Sequence, residues 1–205
     1  MTTRRQFLSI AALAATLTAT GRPARAEGFF EALFFGGGGL EPGLGPNPLV
    51  GSPFARRRVR FDGAETPGTI VIETGPKYLY FVEGNGRATR YGIGVGREGF
   101  GWRGTVQIGR KAEWPDWIPP EEMRVRELRR GRRLPVRMAG GPDNPLGARA
   151  LYLYRGGRDT LYRIHGTNEP QTIGRNVSSG CIRMVNADVV HLYGRAEIGA
   201  KVIVR

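Results

Sequence analysis

Cys181 is the only cysteine among 205 residues, and it sits in the run Ser178-Ser179-Gly180-Cys181-Ile182-Arg183-Met184. Sixteen positions upstream, His165, one of two histidines, ends the apolar-alternating run Leu161-Tyr162-Arg163-Ile164. A thiol and an imidazole on neighbouring segments are the minimum parts of a cysteine acyl-transfer site. A free thiol of pKa ~8.5 is mostly protonated near neutrality, whereas the thiolate is the nucleophile. The imidazole can take that proton, giving a thiolate–imidazolium pair, and later return it to a leaving amine. For this the ring must be held in one tautomer by an acceptor on its other nitrogen. The motif carries no obligatory Asp or Glu, so a backbone carbonyl is expected in that role.

The residues around the cysteine suit the same chemistry. Gly180 allows a tight turn and close approach of a substrate to the backbone. The amides of Gly180 and Cys181 are then candidates for an oxyanion hole. Arg183, two residues on, falls on the same side of an extended segment as Cys181, where its fork could bind a peptide carboxylate. An ion pair with Asp188 or another acid is the alternative. Ser178, Ser179 and Asn186 complete the set of candidate substrate-binding residues. For Ser178 and Asn186, side-chain bonds that hold the loop are the competing role. A zinc site is disfavoured, because one cysteine and two histidines show no metal-ligand spacing. No cofactor is expected. Gly92, Gly94 and Gly96 resemble a phosphate loop only superficially, since no helix follows.

These residues must be positioned by a mostly β framework. Thr69 to Ile72, Tyr78 to Val82, Thr89 to Ile93, Thr105 to Ile108, Ala150 to Tyr154, Leu161 to His165 and Val202 to Val204 all read as strands. Gly84-Asn85-Gly86 is a hairpin signal, because Asn-Gly accepts positive φ. Two short helices are expected: one around residues 120–130, with Glu121 and Glu122 at its N-terminus, and one from Asn186, read as an N-cap, through Tyr193. The fold class is therefore mainly β, a single sandwich-like domain with one or two short helices.

The N-terminus reads as an export signal. Arg4-Arg5 precede Phe7-Leu8 and a mild Ala/Leu stretch, and Ala24-Arg25-Ala26 supplies a cleavage pattern. The organisation expected is a twin-arginine signal over 1–26, a Gly/Pro-rich linker or tail over 27–58 and a catalytic domain over 59–205. The apolar stretch is shorter than the ~20 residues that span a bilayer, so no transmembrane span is expected in the mature chain. The alternative is an uncleaved N-terminal anchor. Formal charge is +13, of which four positive residues belong to the presumed signal, leaving +9. Outside the cytoplasm that excess favours acidic envelope partners and argues against nucleic acid. The arginines at 124, 126, 129, 130, 132 and 133 read as a solvated face or as a patch for wall carboxylates. Trp114 and Trp117, among Pro115, Pro119 and Pro120, read as a packed flap.

Ile164-His165-Gly166-Thr167-Asn168, Ile173-Gly174 and Ser178-Ser179-Gly180-Cys181-Ile182-Arg183-Met184, followed by Asn186 and Asp188, closely resemble the L,D-transpeptidase catalytic-domain family. Gly104-Thr105, Pro115-x-Trp117-x-Pro119-Pro120 and Asn144-Pro145-Leu146-Gly147 agree in order, so the resemblance covers roughly residues 65 to 205. Two positions depart from the pattern. Ser179 stands where many members have His, and Gly101-Trp102-Arg103-Gly104 where many have Thr-Pro-x-Gly. The resemblance implies a periplasmic enzyme acting on peptidoglycan stem peptides, with Cys181 as nucleophile, His165 as base and acid, and the Gly166 carbonyl orienting His165. It implies loss of a terminal D-alanine and transfer to an amine, giving a 3→3 crosslink or attachment of an envelope lipoprotein. It also implies acylation by carbapenems. Hydrolysis by an L,D-carboxypeptidase on the same residues, or a non-catalytic peptidoglycan-binding module, are the alternatives.

Overall fold

The computed structural model describes residues 44–97 and 101–205. The expected export signal and the first part of the expected linker lie outside the described residues. Eleven strands and two helices follow in chain order. They are β1 (Arg57–Arg60), β2 (Ile70–Glu73), β3 (Tyr78–Gly84), β4 (Arg87–Gly92), β5 (Val95–Gly96), β6 (Gly104–Glu113) and helix α1 (Glu121–Arg129). Then come β7 (Arg149–Arg155), β8 (Arg158–His165), a 3-10 turn (Pro170–Thr172), β9 (Asn176–Ser178), β10 (Ile182–Arg183), α2 (Asn186–Tyr193) and β11 (Lys201–Val204).

Nine strands form one sheet in the order β1-β4-β3-β2-β11-β6-β7-β8-β10, while β5 and β9 form a short parallel pair. The β3–β4 hairpin turns at Asn85, whose φ of 52° is the positive value that Asn tolerates. The large sheet folds back on itself. Tyr91 on β4, Ile72 on β2, Leu153 on β7, Ile164 on β8 and Ile182 on β10 all belong to one buried cluster, covered by Val189 and Leu192 of α2. Closure comes just after β4, where Gly94 and Arg183 exchange backbone hydrogen bonds of 2.8 and 2.9 Å. β10 is thereby gripped on both edges, by β8 and by Gly94. A Cβ at Gly94 would stand 2.9 Å from the Thr172 carbonyl, so this seam needs glycine.

The domain begins earlier than the sequence pattern suggests. Residues 47–58, expected within the linker, are fastened to the domain. Asn47 Nδ2 donates to Asp188 Oδ1 at 2.8 Å, and Leu49 and Phe54 pack with Ile173 and Val185. The Phe54 side chain lies so close to Gly92 and Gly174 that a Cβ on either would be within 2.5 Å of it. The expected N-cap at Asn186 is also corrected. Val185 holds that position with no side-chain cap, because the Asn186 amide is used elsewhere.

The buried His165, the half-buried His191 and the buried Asp188 set the acid response of the fold. Burial pushes both His165 and His191 down to about 4; His191 Nδ1 also lies 2.8 Å from the Tyr91 hydroxyl. Their stabilisation is complete above the unfolded pKa near 6.5 and is lost as pH falls towards 4. Asp188, raised to about 6 by burial, works in the opposite sense between 6 and its unfolded value. The histidines outweigh it even with the half-buried His191 discounted for solvent screening, so stability should drop by ~1–2 kcal/mol from pH 7 to pH 4.5. Urea midpoints at the two pH values test this; an unchanged or higher midpoint at pH 4.5 contradicts it.

Candidate active site

His165 ends β8 and is only 4% exposed. Its Nδ1 lies 2.6 Å from the Gly166 carbonyl oxygen. A carbonyl can only accept, so Nδ1–H donates and Nε2 is left as the basic nitrogen. Two causes that lower its pKa to about 4 are burial first, then the charge of Arg183. The carbonyls of Gly166 and Leu146 pull the other way and lose. At neutral pH the ring is therefore an uncharged base.

Cys181 enters this site through strand register. β10 runs parallel to β8, with Ile182 opposite Ile164 and Arg183 opposite His165. One residue earlier, Cys181 falls level with Arg163, whose backbone amide favours the thiolate form. Residues two apart on a strand share a face. Ile164 and Ile182 point into the core, so Arg163, His165, Cys181 and Arg183 occupy the opposite face together. Burial pushes the Cys181 thiol up, although the residue as a whole is half-buried; the Arg163 amide and the charges of Arg163 and Arg183 act against this. Both shifts favour the uncharged forms, thiol and neutral imidazole, as the resting pair.

Ser178 shapes the loop that presents the sulfur. Its hydroxyl donates to the Cys181 carbonyl at 2.6 Å and accepts from the Gly180 amide at 3.1 Å. This commits both the Ser178 side chain and the Gly180 N–H within the loop, the loop-holding role named above for Ser178. Of the two amides expected to form an oxyanion hole, only that of Cys181 has no such tie among the described hydrogen bonds. Gly180 adopts φ 112°, a conformation that side-chain-bearing residues rarely reach. Ser179 Oγ accepts from Arg97 Nη2 at 3.3 Å.

Asn186 takes the loop-holding role named above. Its Oδ1 accepts from the amides of Ala148 at 3.0 Å and Thr167 at 3.2 Å. It therefore clamps the residue that follows Gly147 to the residue that follows Gly166. The ion pair named as the alternative for Arg183 forms with another acid and not with Asp188. Arg183 Nη1 bonds Glu169 Oε2 at 2.8 Å, while Asp188 pairs with Asn47 and Arg56.

Two further regions flank the loop. A cavity of about 510 Å³ is lined by Lys77, Arg97, Trp102, Arg103, Gly180 and Ile182 among others. Trp102 stacks on Tyr162 with ring centroids 4.8 Å apart. The Trp-Pro segment is a packed flap between β6 and β7. The Asn144 side-chain amide donates to the carbonyls of Pro115, Met138 and Ala139, and Trp117 bridges Met138 through backbone hydrogen bonds. Within the arginine cluster, Arg126, Arg130 and Arg132 gather on Glu127.

A family model described as the L,D-transpeptidase catalytic domain matches residues 67–204. The chain belongs to the L,D-transpeptidase catalytic-domain family. Among curated relatives of this L,D-transpeptidase domain, the probable L,D-transpeptidase ErfK/SrfK of Escherichia coli K12 is 37% identical over 138 residues, covering 65% of this chain and 42% of that one. The probable L,D-transpeptidase YbiS of the same strain is 34% identical over 139 residues, covering 66% and 43%. This chain thus spans less than half the length of these two relatives. A crystal structure described as a probable carnitine operon oxidoreductase from Brucella melitensis is 47% identical with a TM-score of 0.51, covering 76% of this chain and 96% of that one. That description stands apart from the family model and the curated relatives, which agree with one another.

Proposed function

We propose that this domain is a cysteine acyltransferase of peptidoglycan, exported to the periplasm and acting on stem tetrapeptides. The observation that carries the reading is the His165 ring, held by the Gly166 carbonyl at Nδ1 so that Nε2 is the basic nitrogen, on the same strand face as the Cys181 thiol. In the first step Nε2 takes the thiol proton as sulfur attacks the carbonyl of the third stem residue. The tetrahedral oxyanion is stabilised by the Cys181 amide. Its collapse breaks the amide bond, and His165 returns the proton to the departing D-alanine amine, leaving a thioester. An acceptor amine then loses its proton to His165 and attacks the thioester, expelling the thiolate, which is reprotonated.

Because both groups rest uncharged, proton transfer accompanies attack. The desolvation that keeps them neutral also strengthens each hydrogen bond made to the transition state. A diamino acid side chain as acceptor gives a 3→3 crosslink, and a lipoprotein lysine gives attachment of that lipoprotein to the wall. Water as acceptor gives an L,D-carboxypeptidase, the competing reading on the same residues. Incubation of the protein with purified disaccharide-tetrapeptide, followed by mass spectrometry, separates these outcomes. Crosslinked dimer with release of D-alanine is expected. Tripeptide alone would replace transfer with hydrolysis, and no D-alanine release would sink the reading.

A further inference from the structure

The pair formed by Arg183 and Glu169 is built to come apart. Glu169 touches one guanidinium nitrogen, Nη1, at 2.8 Å. This is a single-point contact, not the two-point fork that makes arginine–carboxylate pairs strong. Arg183 Nε is buried with no hydrogen-bond partner. The Arg183 side chain is 18% exposed but that of Glu169 is 51% exposed, so water already competes for the carboxylate. Exposed pairs of this kind contribute little to stability.

The loop that presents Glu169 does not depend on the pair. Glu169 N–H donates to Thr167 Oγ1, Thr172 Oγ1 donates to the Glu169 carbonyl, and Asn168 Nδ2 donates to the Asp143 carbonyl. Side-chain rotation alone can therefore release the carboxylate. The neighbouring acids are committed elsewhere: Asp188 to Asn47 and Arg56, Asp159 to Arg163. Arg183 also lies on the Cys181 face two residues along the strand, a step of ~7 Å. That spacing suits a carboxylate about one residue removed from a carbonyl under attack.

We propose that Glu169 holds Arg183 in the resting protein as a stand-in for the carboxylate of an acyl donor, which displaces it on binding; the identity of that donor rests on the acyl-transfer reading above. Glu169 is then a specificity-determining residue. A donor with a carboxylate exchanges one ion pair for another, whereas a neutral donor leaves Arg183 with its internal partner and gains nothing there. The guanidinium charge also bears on both reacting groups, lowering the pKa of His165 and of Cys181.

Alkylation of Cys181 tests the exchange without requiring any peptidoglycan chemistry. Rates with iodoacetate and iodoacetamide are measured by intact mass for the unaltered protein, Glu169→Gln and Arg183→Gln. The iodoacetate-to-iodoacetamide rate ratio should rise about threefold or more in Glu169→Gln and fall below the unaltered value in Arg183→Gln. An unchanged ratio in Glu169→Gln, or an equal rise with both reagents, overturns the proposal. In the unaltered protein, acetate should slow iodoacetate more than iodoacetamide at matched ionic strength; equal slowing counts against an anion site at Arg183 even if a variant fails to fold. With tetrapeptide donors, Glu169→Gln should lower KM only when the donor carboxylate is free. Absence of turnover with every donor would remove the acyl-transfer reading while the alkylation ratios still decide the exchange.

Discussion

His165→Ala is expected to slow acylation of Cys181 by ~10²–10⁴-fold, the usual contribution of a positioned general base. The size follows from the resting state. Burial raises the Cys181 thiol and holds His165 neutral, so no reservoir of thiolate exists for the variant to fall back on. His165 is buried, and its loss leaves a hole; His165→Gln fills much of that space without supplying a base of suitable pKa and should be equally slow. The pH dependence of the unaltered protein carries the same information. Neutral imidazole is the competent form, and it is lost only as pH falls through about 4. Acylation should therefore hold steady from pH ~8 down to ~5.5 and decline below that. A decline centred near 6.5, or variants that acylate at comparable rates, would remove His165 from this role.

Gly147→Ala should damage stability and acylation together. Gly147 has φ 61°, and a Cβ there would lie 2.2 Å from Asn186 Oδ1, 2.5 Å from the Thr167 amide and 2.6 Å from the Gly166 carbonyl carbon. Two of those three contacts are backbone, so no side-chain rotation relieves them. The strand end carrying Gly166 must move, taking with it the carbonyl that orients His165. We expect a loss of ~3 kcal/mol or more in stability together with loss of acylation. Gly157→Ala is the control: φ is 77°, but nothing lies within 4 Å of its Cβ. It should cost only the ~1–2 kcal/mol of a left-handed residue and leave acylation intact. Similar stabilities for the two variants would show that crowding around Asn186 is not what fixes the site.

The strands that carry the framework were legible because each alternates or is β-branched over four or more residues. The β3–β4 hairpin and α1 likewise follow from Asn85-Gly86 and from the acids at Glu121 and Glu122. β1 carries no strand signal because Arg57-Arg58-Val59-Arg60 has a single apolar residue and is itself the edge of the sheet, held by backbone pairing with β4. β5, β9 and β10 are two or three residues long, too short for any period to register. Yet β10 carries the candidate site, since its register with β8 puts Cys181 and His165 on one face. The pairing of Ser178 with its own loop follows from the local preferences of serine. Neither Arg97 at Ser179 nor Glu169 at Arg183 could be read from the chain, because long charged side chains choose partners only after the loops are folded. Asn186 misled for a related reason: a good N-cap residue was claimed by two backbone amides from distant segments.

Intact mass after exposure to a carbapenem, for the unaltered protein beside Cys181→Ala, reports directly on whether this sulfur captures an acyl group. One covalent adduct per chain is expected on the first protein and none on the second. No adduct on either, or the same adduct on both, would contradict the assignment of Cys181 as nucleophile.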